Sequence, residues 1–502
     1  MKITPEQRHQ YLDSRVKINR ESARRVLQLN GQALNQLLAE YGFVRDHTAG
    51  KKRYKKVKVN TRADVDELDR AMEVKPEADI FIKQARRDVL VIVSYLVGSK
   101  VFVPFWNTLL SFVKLHGAEL VVLPMRYHNP TVLQEAIKQD EEQTIDSLVV
   151  PYLNVHRFRH GFATVLADIK INPTNTEPLN TLTSFSYGTH LIVGHTTQQI
   201  KPLLTGKHEK TLTAWSTGSC SVPELSDSLA GKKAELHHRY GFIVLGKNHL
   251  RSIHATRKGD FVDRGMEYAF DNIKPCPPLA CVMGDLHIGQ HDKGAYAWAL
   301  GLNKERNNQV LLMNDSFDGS TVNHHEKNLY DRTRIFDFVS QELNVHRNFM
   351  DDLRRQGFYP FLVHSNHTDF LFRWANETSR NNVHSKDLEV YDKLNSHHVR
   401  DELLLELLGC ETLPEDEMIS SFRIKHGHEP FNGARGSIKS YNQTGTRTAY
   451  GHTHKVESLH GHENVGCLCL LNQPYMKGFS SAIHSIGFIY PNGKFQHEIK
   501  WS

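Results

Sequence analysis

Five short elements in the C-terminal half carry side chains able to ligate metal ions or move protons. They are Gly284-Asp285-Leu286-His287, Asn314-Asp315-Ser316-Phe317-Asp318, Asn366-His367, His426-Gly427 and Gly451-His452-Thr453-His454. All offer oxygen or imidazole donors and none offers a thiolate. Histidine is concentrated in the same stretch, with 18 of 31 between residues 276 and 502. Ligation therefore competes with ordinary surface or core placement, and spacing has to decide. Asp285 and His287 stand two apart behind the apolar run LACVM, and His452 and His454 repeat that spacing. In an extended segment, residues i and i+2 point to one side. Asp315 follows QVLLM, Asn366 follows FYPFLVH and His426 follows SFRIK. Ligands at the carboxyl ends of several strands converge on one crevice in α/β sheets. The seven donors Asp285, His287, Asp315, Asn366, His426, His452 and His454 are too many for one small divalent ion. They suit two ions about 3.5–4 Å apart that share a carboxylate.

In this order the elements resemble the calcineurin-like metallophosphoesterase superfamily, whose pattern is D-x-H, G-D-x-x-D, G-N-H-D/E, H and G-H-x-H. The resemblance covers roughly residues 277–502. It implies one metal on Asp285, His287, Asp315 and His454, and another on Asp315, Asn366, His426 and His452, with Asp315 as the bridge. It further implies that His367 is the general acid facing the leaving oxygen, and that Asp318 orients it. Two divalent ions are the expected cofactors, Mn²⁺ first, with Mg²⁺, Fe or Zn²⁺ as alternatives, because sulfur-free ligation suits them all. Such a pair lowers the pKa of a bridging water and neutralises phosphate charge. Asn314 and Ser365 stand where the pattern has glycine. Thr368 separates His367 from Asp369, where the pattern puts an acid directly after the histidine. His324 and His325, in STVNHHEKN, are candidates for substrate contact. His428 is an alternative to His426, which is preferred because the pattern reads His-Gly. His364 is expected to pack at a strand end. Cys467 and Cys469, with the other four cysteines, are expected to be buried reduced thiols.

These ligands have to be positioned by a larger fold. A chain of 502 residues exceeds one ordinary core, so two or three domains are expected. The fold class reads as α/β. Residues 276–502 are expected to form a metallophosphoesterase β-sandwich flanked by helices. Residues 76–275 are expected to form a preceding α/β domain, and 1–75 a small basic helical, winged-helix-like domain. In the middle segment VLVIVSYL, VFVPFWNTLLSFVKLHG and AELVVLPMRY read as strand, helix and strand, a βαβ unit. HLIVGHT and GFIVLG are further strands. In the first segment, Thr4 to Ser14, Glu21 to Leu29 and Gly31 to Tyr41 read as helices. A hairpin follows, turning at Ala49-Gly50 into the alternating strand RYKKVKVN.

Charge singles out the same first segment. Residues 1–60 hold 14 Lys and Arg against 5 Asp and Glu, a balance of +9. The remainder holds 48 against 51, or −3, so the net +6 is an N-terminal property. Lys51, Lys52, Arg53, Lys55, Lys56 and Lys58 are candidates to lie along phosphates. No run of about 18 apolar residues is present, so no membrane span is expected. The first residues lack the apolar stretch of a secretory signal. A cytoplasmic protein is the expectation, in the host cytoplasm if the chain is phage-encoded.

Within the superfamily, NDSFDG and SNHTD depart from the G-D-x-V-D-R-G and G-N-H-E of protein phosphatases. The Asp-x-Phe-Asp form is similar to that of SbcD-type repair nucleases. LVVLPMRYHNPT and AGKKAELHHRYG, in the middle segment, resemble phage-encoded proteins, in particular the pre-early DNA-degradation proteins of siphophages. A metal-dependent DNase with DNA as its partner is therefore the first reading. The second is a small-molecule or nucleotide phosphodiesterase whose basic segment holds RNA or a partner. A homo-oligomer is compatible with the resemblance, although no interface stripe is legible.

Overall fold

The computed structural model describes residues 17–19, 43–46, 53–56, 87–125, 145–180, 182–186, 188–206, 209–323, 335–396, 399–429, 436–472 and 479–501, the first three as backbone strands. The chain divides into two compact units, Met1–Asp79 and Ile80–Ser502.

In the first unit, Lys17–Asn19, Phe43–Asp46 and Arg53–Lys56 form an antiparallel sheet with Arg53–Lys56 in the centre. The expected hairpin is present, with Phe43 opposite Lys56 and Asp46 opposite Arg53. Lys17–Asn19 was not legible as a strand, since three residues are too few to establish a period. The three expected helices fall outside the described residues, as do Lys51, Lys52 and Lys58. Arg53, Lys55 and Lys56 lie on the central strand.

The second unit is mixed α/β, with several sheets and, among the described residues, eight α-helices. Leu90–Leu96 is buried along its whole length, and its unbroken apolar run is what a strand covered on both faces requires. It pairs in parallel with Glu119–Met125. The connecting helix Val103–Leu115 carries proline in its first turn and buries Phe105, Trp106, Leu109 and Phe112. Proline suits that position because its missing N–H has no partner there anyway.

A six-stranded sheet positions most of the chemistry. Its order is Glu411–Thr412, Tyr359–Leu362, Val310–Met313, Ala280–Val282, Ser485–Ile489 and Phe495–Ile499. The first four strands run parallel. Cys281, Leu311 and Met313 face a core shared with Leu343, Leu353 and Leu404 of helices Val339–Arg355 and Arg400–Leu408. Val282 and Leu312, one position along, face the opposite way onto Ile424, Ala449 and Val465. That period of two makes the sheet a central layer between helices and a second sheet.

The second sheet has ten strands and draws on both the middle and the C-terminal segments. Ser458, in Glu457–Leu459, pairs with Ile200, in Gln199–Pro202. A sheet therefore runs across the boundary expected near residue 275. Hydrophobic periodicity marks a strand but carries no information on its pairing partner, which is why this continuity was invisible in the sequence. Among the described residues, no helix is long and apolar enough to cross a membrane.

Candidate metal centre

Five strands deliver the motif residues at their carboxyl ends: Ala280–Val282, Val310–Met313, Tyr359–Leu362, Phe422–Ile424 and Thr448–Tyr450. The first three belong to the six-stranded sheet and the last two to the ten-stranded one. Asn366 and His367 open the helix Asn366–Glu377, and Ser365 caps it by accepting from the Thr368 N–H. Serine at this position therefore does what a helix start needs, with Thr368 completing a reciprocal cap. His287, Asp315, His452 and His454 have φ of 49°, 37°, 71° and 57°. Four non-glycine residues held in the left-handed region at one place mark a site where backbone strain is tolerated to aim side chains.

The side chains converge in two groups. In one, His426 Nε2 lies 3.0 Å from Asp315 Oδ2, 3.1 Å from Asn366 Oδ1 and 3.2 Å from His452 Nδ1. In the other, His454 Nε2 lies 3.3 Å from Asp285 Oδ2. Three atoms here are buried without a hydrogen-bond partner: Asp285 Oδ2, His287 Nε2 and Asp315 Oδ1. Buried polar atoms are almost always satisfied, so three such atoms in this His/Asp cluster make it a candidate cation site. Asp315 Oδ2 faces His426 and His367, and its Oδ1 is left without a hydrogen-bond partner. The residues present thus fit two divalent ions.

The Nδ1 atoms of two candidate ligand histidines have polar neighbours. His287 Nδ1 meets Asp318 Oδ1 at 2.9 Å, and His426 Nδ1 lies 3.4 Å from Asn314 Oδ1. Asn314 also donates to the Met283 carbonyl at 2.9 Å. The asparagine in place of glycine therefore ties two ligand loops together. Such outer partners fix the tautomer and aim of a metal-binding imidazole. A Cβ on Gly451 would collide with Asp285 Oδ1, which explains the glycine before His452.

Electrostatics agree with a cation-binding cluster. Burial opposes ionisation of Asp315, but His367 and His426 outweigh it and hold its carboxyl well below the ordinary range. Burial likewise works against His287, and the Asp318 contact overcomes it, raising the imidazole to about 9. Burial, then His426, pushes His452 down to about 4. Burial also depresses His367 despite the nearby Asp315. Metal ions binding here compete with the protons that these imidazoles take up.

The expected pairing of the Asp318 carboxylate with His367 is corrected. The carboxylate serves His287, and His367 Nδ1 donates instead to the Asp318 main-chain carbonyl at 2.5 Å. Asp318 thus meets both imidazoles, His287 through its side chain and His367 through its main chain. Asp318→Asn should consequently weaken metal binding by about 10–100-fold, as read by Mn²⁺ titration, with activity recovered at high Mn²⁺. Unchanged affinity with a depressed kcat would place the carboxylate on His367 after all.

His367 Nε2 stands 3.8 Å from Asp315 Oδ2, at the edge of the cluster. His428 points to Asp369 at 3.8 Å rather than to Asp315. Asp369 also meets His364 at 3.3 Å and pairs with Arg400, outside both metal groups. His324 and His325 lie outside the described residues. All six cysteines are unpaired, and Cys276 is only half-buried. Cys469 was missed by sequence reasoning: its Sγ lies 3.9 Å from His454 Nδ1 and groups with His287 and His454. A hydrogen bond with Cys467, then burial, holds the Cys469 thiol protonated, so it borders the centre as a neighbour of His454. Glu342 was also missed; it accepts from the Ser320 and Thr321 N–H groups at 3.0 and 3.1 Å and braces the loop after Asp318.

No family model matches the chain, and no solved structure matches it. The chain is similar to Protein A1 of Escherichia phage T5, 25% identical over 449 residues that span 78% of each protein. That similarity agrees with the resemblance to phage proteins seen in the middle segment.

Proposed function

We propose that the chain is a two-metal phosphoesterase of phage type that hydrolyses DNA. The observation that carries this reading is the set of buried, unpartnered Asp285 Oδ2, His287 Nε2 and Asp315 Oδ1 facing His454, beside the second group around His426. Two divalent ions held there would supply hydroxide at neutral pH and neutralise charge on the scissile phosphate. Asp285, His287, Asp315 and His454 would hold one ion, and Asp315, Asn366, His426 and His452 the other. The Asp318 carboxylate fixes the tautomer of His287. The Asp318 carbonyl takes the Nδ1 proton of His367, so that Nε2 faces the cluster and can hand a proton to a departing oxygen. DNA as substrate is supported by the basic N-terminal segment and by the similarity to a phage protein.

The test is degradation of linear and circular duplex DNA by the purified chain with Mn²⁺. Loss of both substrates supports an endonuclease. Intact DNA alongside cleavage of a small chromogenic phosphodiester overturns the DNA reading and favours a small-molecule phosphodiesterase. If several N-terminal Lys and Arg side chains hold phosphates, raising salt from 50 to 200 mM should slow DNA degradation by about 10³-fold or more. Hydrolysis of the small diester should change far less. Equal salt sensitivity of the two reactions would remove the basic segment from the substrate path.

A further inference from the structure

A cavity of about 420 Å³ opens between the middle and C-terminal segments. Sites for small organic ligands run from about 300 to 1,000 Å³, so a nucleotide-sized group has room. One wall is aromatic. Phe162 and Trp501, both half-buried, line it with ring centroids 5.3 Å apart. His190 stands edge-on to each, at 4.9 and 5.0 Å. Burial pushes its pKa down to about 4, so it backs the two rings as a neutral imidazole. The exposed side-chain amides of Asn248 and Asn472 also line the cavity, and amides offer both donors and acceptors to a base edge.

The rest of the lining is basic. Lys210, Lys247 and Lys500 face the cavity with Glu209 as the acidic side chain among them. Lys247 pairs with Asp88 at 2.8 Å, and the Glu209 carboxylate accepts from the Gly206 N–H at 2.8 Å. Among the described residues, neither Lys210 nor Lys500 has a carboxylate within salt-bridge distance. Three lysines set against Asp88 and Glu209 leave an excess of one positive charge. Shape and charge together ask for a ligand with an aromatic plane and a single negative charge. A nucleotide within a DNA strand has both, because its phosphodiester is a monoanion. The terminal phosphate of a free mononucleotide carries about two charges at neutral pH. The cavity also borders the metal centre. Ile483, on its wall, donates its N–H to the His454 carbonyl at 3.0 Å, and His484 Nε2 donates to the Cys469 carbonyl at 2.9 Å. The wall is thus hydrogen-bonded to the main chain of a candidate metal ligand.

We infer that this cavity takes one unpaired nucleotide of a DNA strand, its base against Trp501 and Phe162 and its phosphodiester at Lys210 and Lys500. Stacking on aromatic side chains beside lysines that follow the backbone is how single strands are commonly held. A base reaches such a wall only after leaving its own stack and partner. The choice of DNA rests on the proposed nuclease reading, whereas the fit to an aromatic monoanion does not.

The experiment is a titration of the full chain, stripped of metal by a chelator so that nothing is cleaved, with a short end-labelled oligothymidylate. Tryptophan emission and label anisotropy are read together. Thymine stacked on Trp501 should quench the emission saturably, and Trp501→Phe should abolish that quenching while keeping most of the binding. Trp501→Ala should weaken binding by about tenfold. Lys500→Met should lower the salt slope by about 0.7, the value of one phosphate contact on a single strand. A fully paired duplex of the same length should leave the Trp501 emission unchanged, and free thymidylate should quench it only at far higher concentration. Thermal melts show which variants remain folded, and Lys500→Met decides if Trp501→Ala does not fold. An anisotropy change without Trp501-dependent quenching places the strand on the basic N-terminal segment and overturns the inference. Equal affinity for thymidylate, or unchanged binding by the folded variants, overturns it as well. Because no metal is present, a negative result here leaves the proposed hydrolysis standing, and a failure of hydrolysis leaves this binding test intact.

Discussion

Asp315→Asn is expected to reduce metal-dependent hydrolysis by at least about 10³-fold, about 4 kcal/mol of transition-state stabilisation. Asp315 is 3% exposed and has one oxygen 3.0 Å from His426 and the other buried without a partner. An amide can still donate its oxygen to one ion, but its nitrogen cannot ligate the second, and the negative charge between two cations is gone. Metal content measured by mass spectrometry should therefore fall from two ions per chain to one or none. Full metal content with full activity would remove Asp315 from its bridging role. The isosteric change keeps the shape of the site, so loss of folding is not the expected cause; a thermal melt checks this.

His367→Ala should behave differently. Its Nδ1 is held by the Asp318 carbonyl and its Nε2 stands 3.8 Å from Asp315 Oδ2, at the rim of the ligand groups. Removing a positioned general acid typically costs about 10²–10⁴-fold in rate. The expected result is that loss in kcat, with both metal ions retained and little change in KM. A diester whose leaving group is a good nitrophenolate needs less protonation, so the defect should shrink on that substrate. A defect of equal size on DNA and on the nitrophenyl diester would argue that His367 positions substrate or metal instead of donating a proton. Set beside Asp318→Asn, whose defect should yield to added Mn²⁺, this variant separates proton donation from ligand orientation.

The strands that carry the candidate ligands were legible because local rules fix them. Apolar runs such as LACVM and QVLLM read as buried strands, and each does form a strand with its candidate ligands following the carboxyl end. Strand alternation does not account for the i, i+2 pairs, because His287, His452 and His454 lie beyond the strand ends at positive φ. The sequence also separated His426 from His428 by the glycine that follows it, and in the structure His426 approaches Asp315 while His428 turns to Asp369. The βαβ unit of Leu90–Leu96, Val103–Leu115 and Glu119–Met125 was legible for the same reason.

What the sequence determined by itself was the set of donors, their order behind strands, and the concentration of positive charge near the N-terminus. Only the tertiary structure decided which atom serves which. The Asp318 carboxylate went to His287 because the loops after Ala280–Val282 and Val310–Met313 lie side by side, with the His287 N–H bonded to the Asp315 carbonyl at 2.7 Å. The joining of Gln199–Pro202 to Glu457–Leu459 brings together residues more than 200 positions apart. Periodicity and capping act over a few residues and specify local conformation. Strand partners and side-chain neighbours are set by which distant faces pack, and that information is spread over the whole chain.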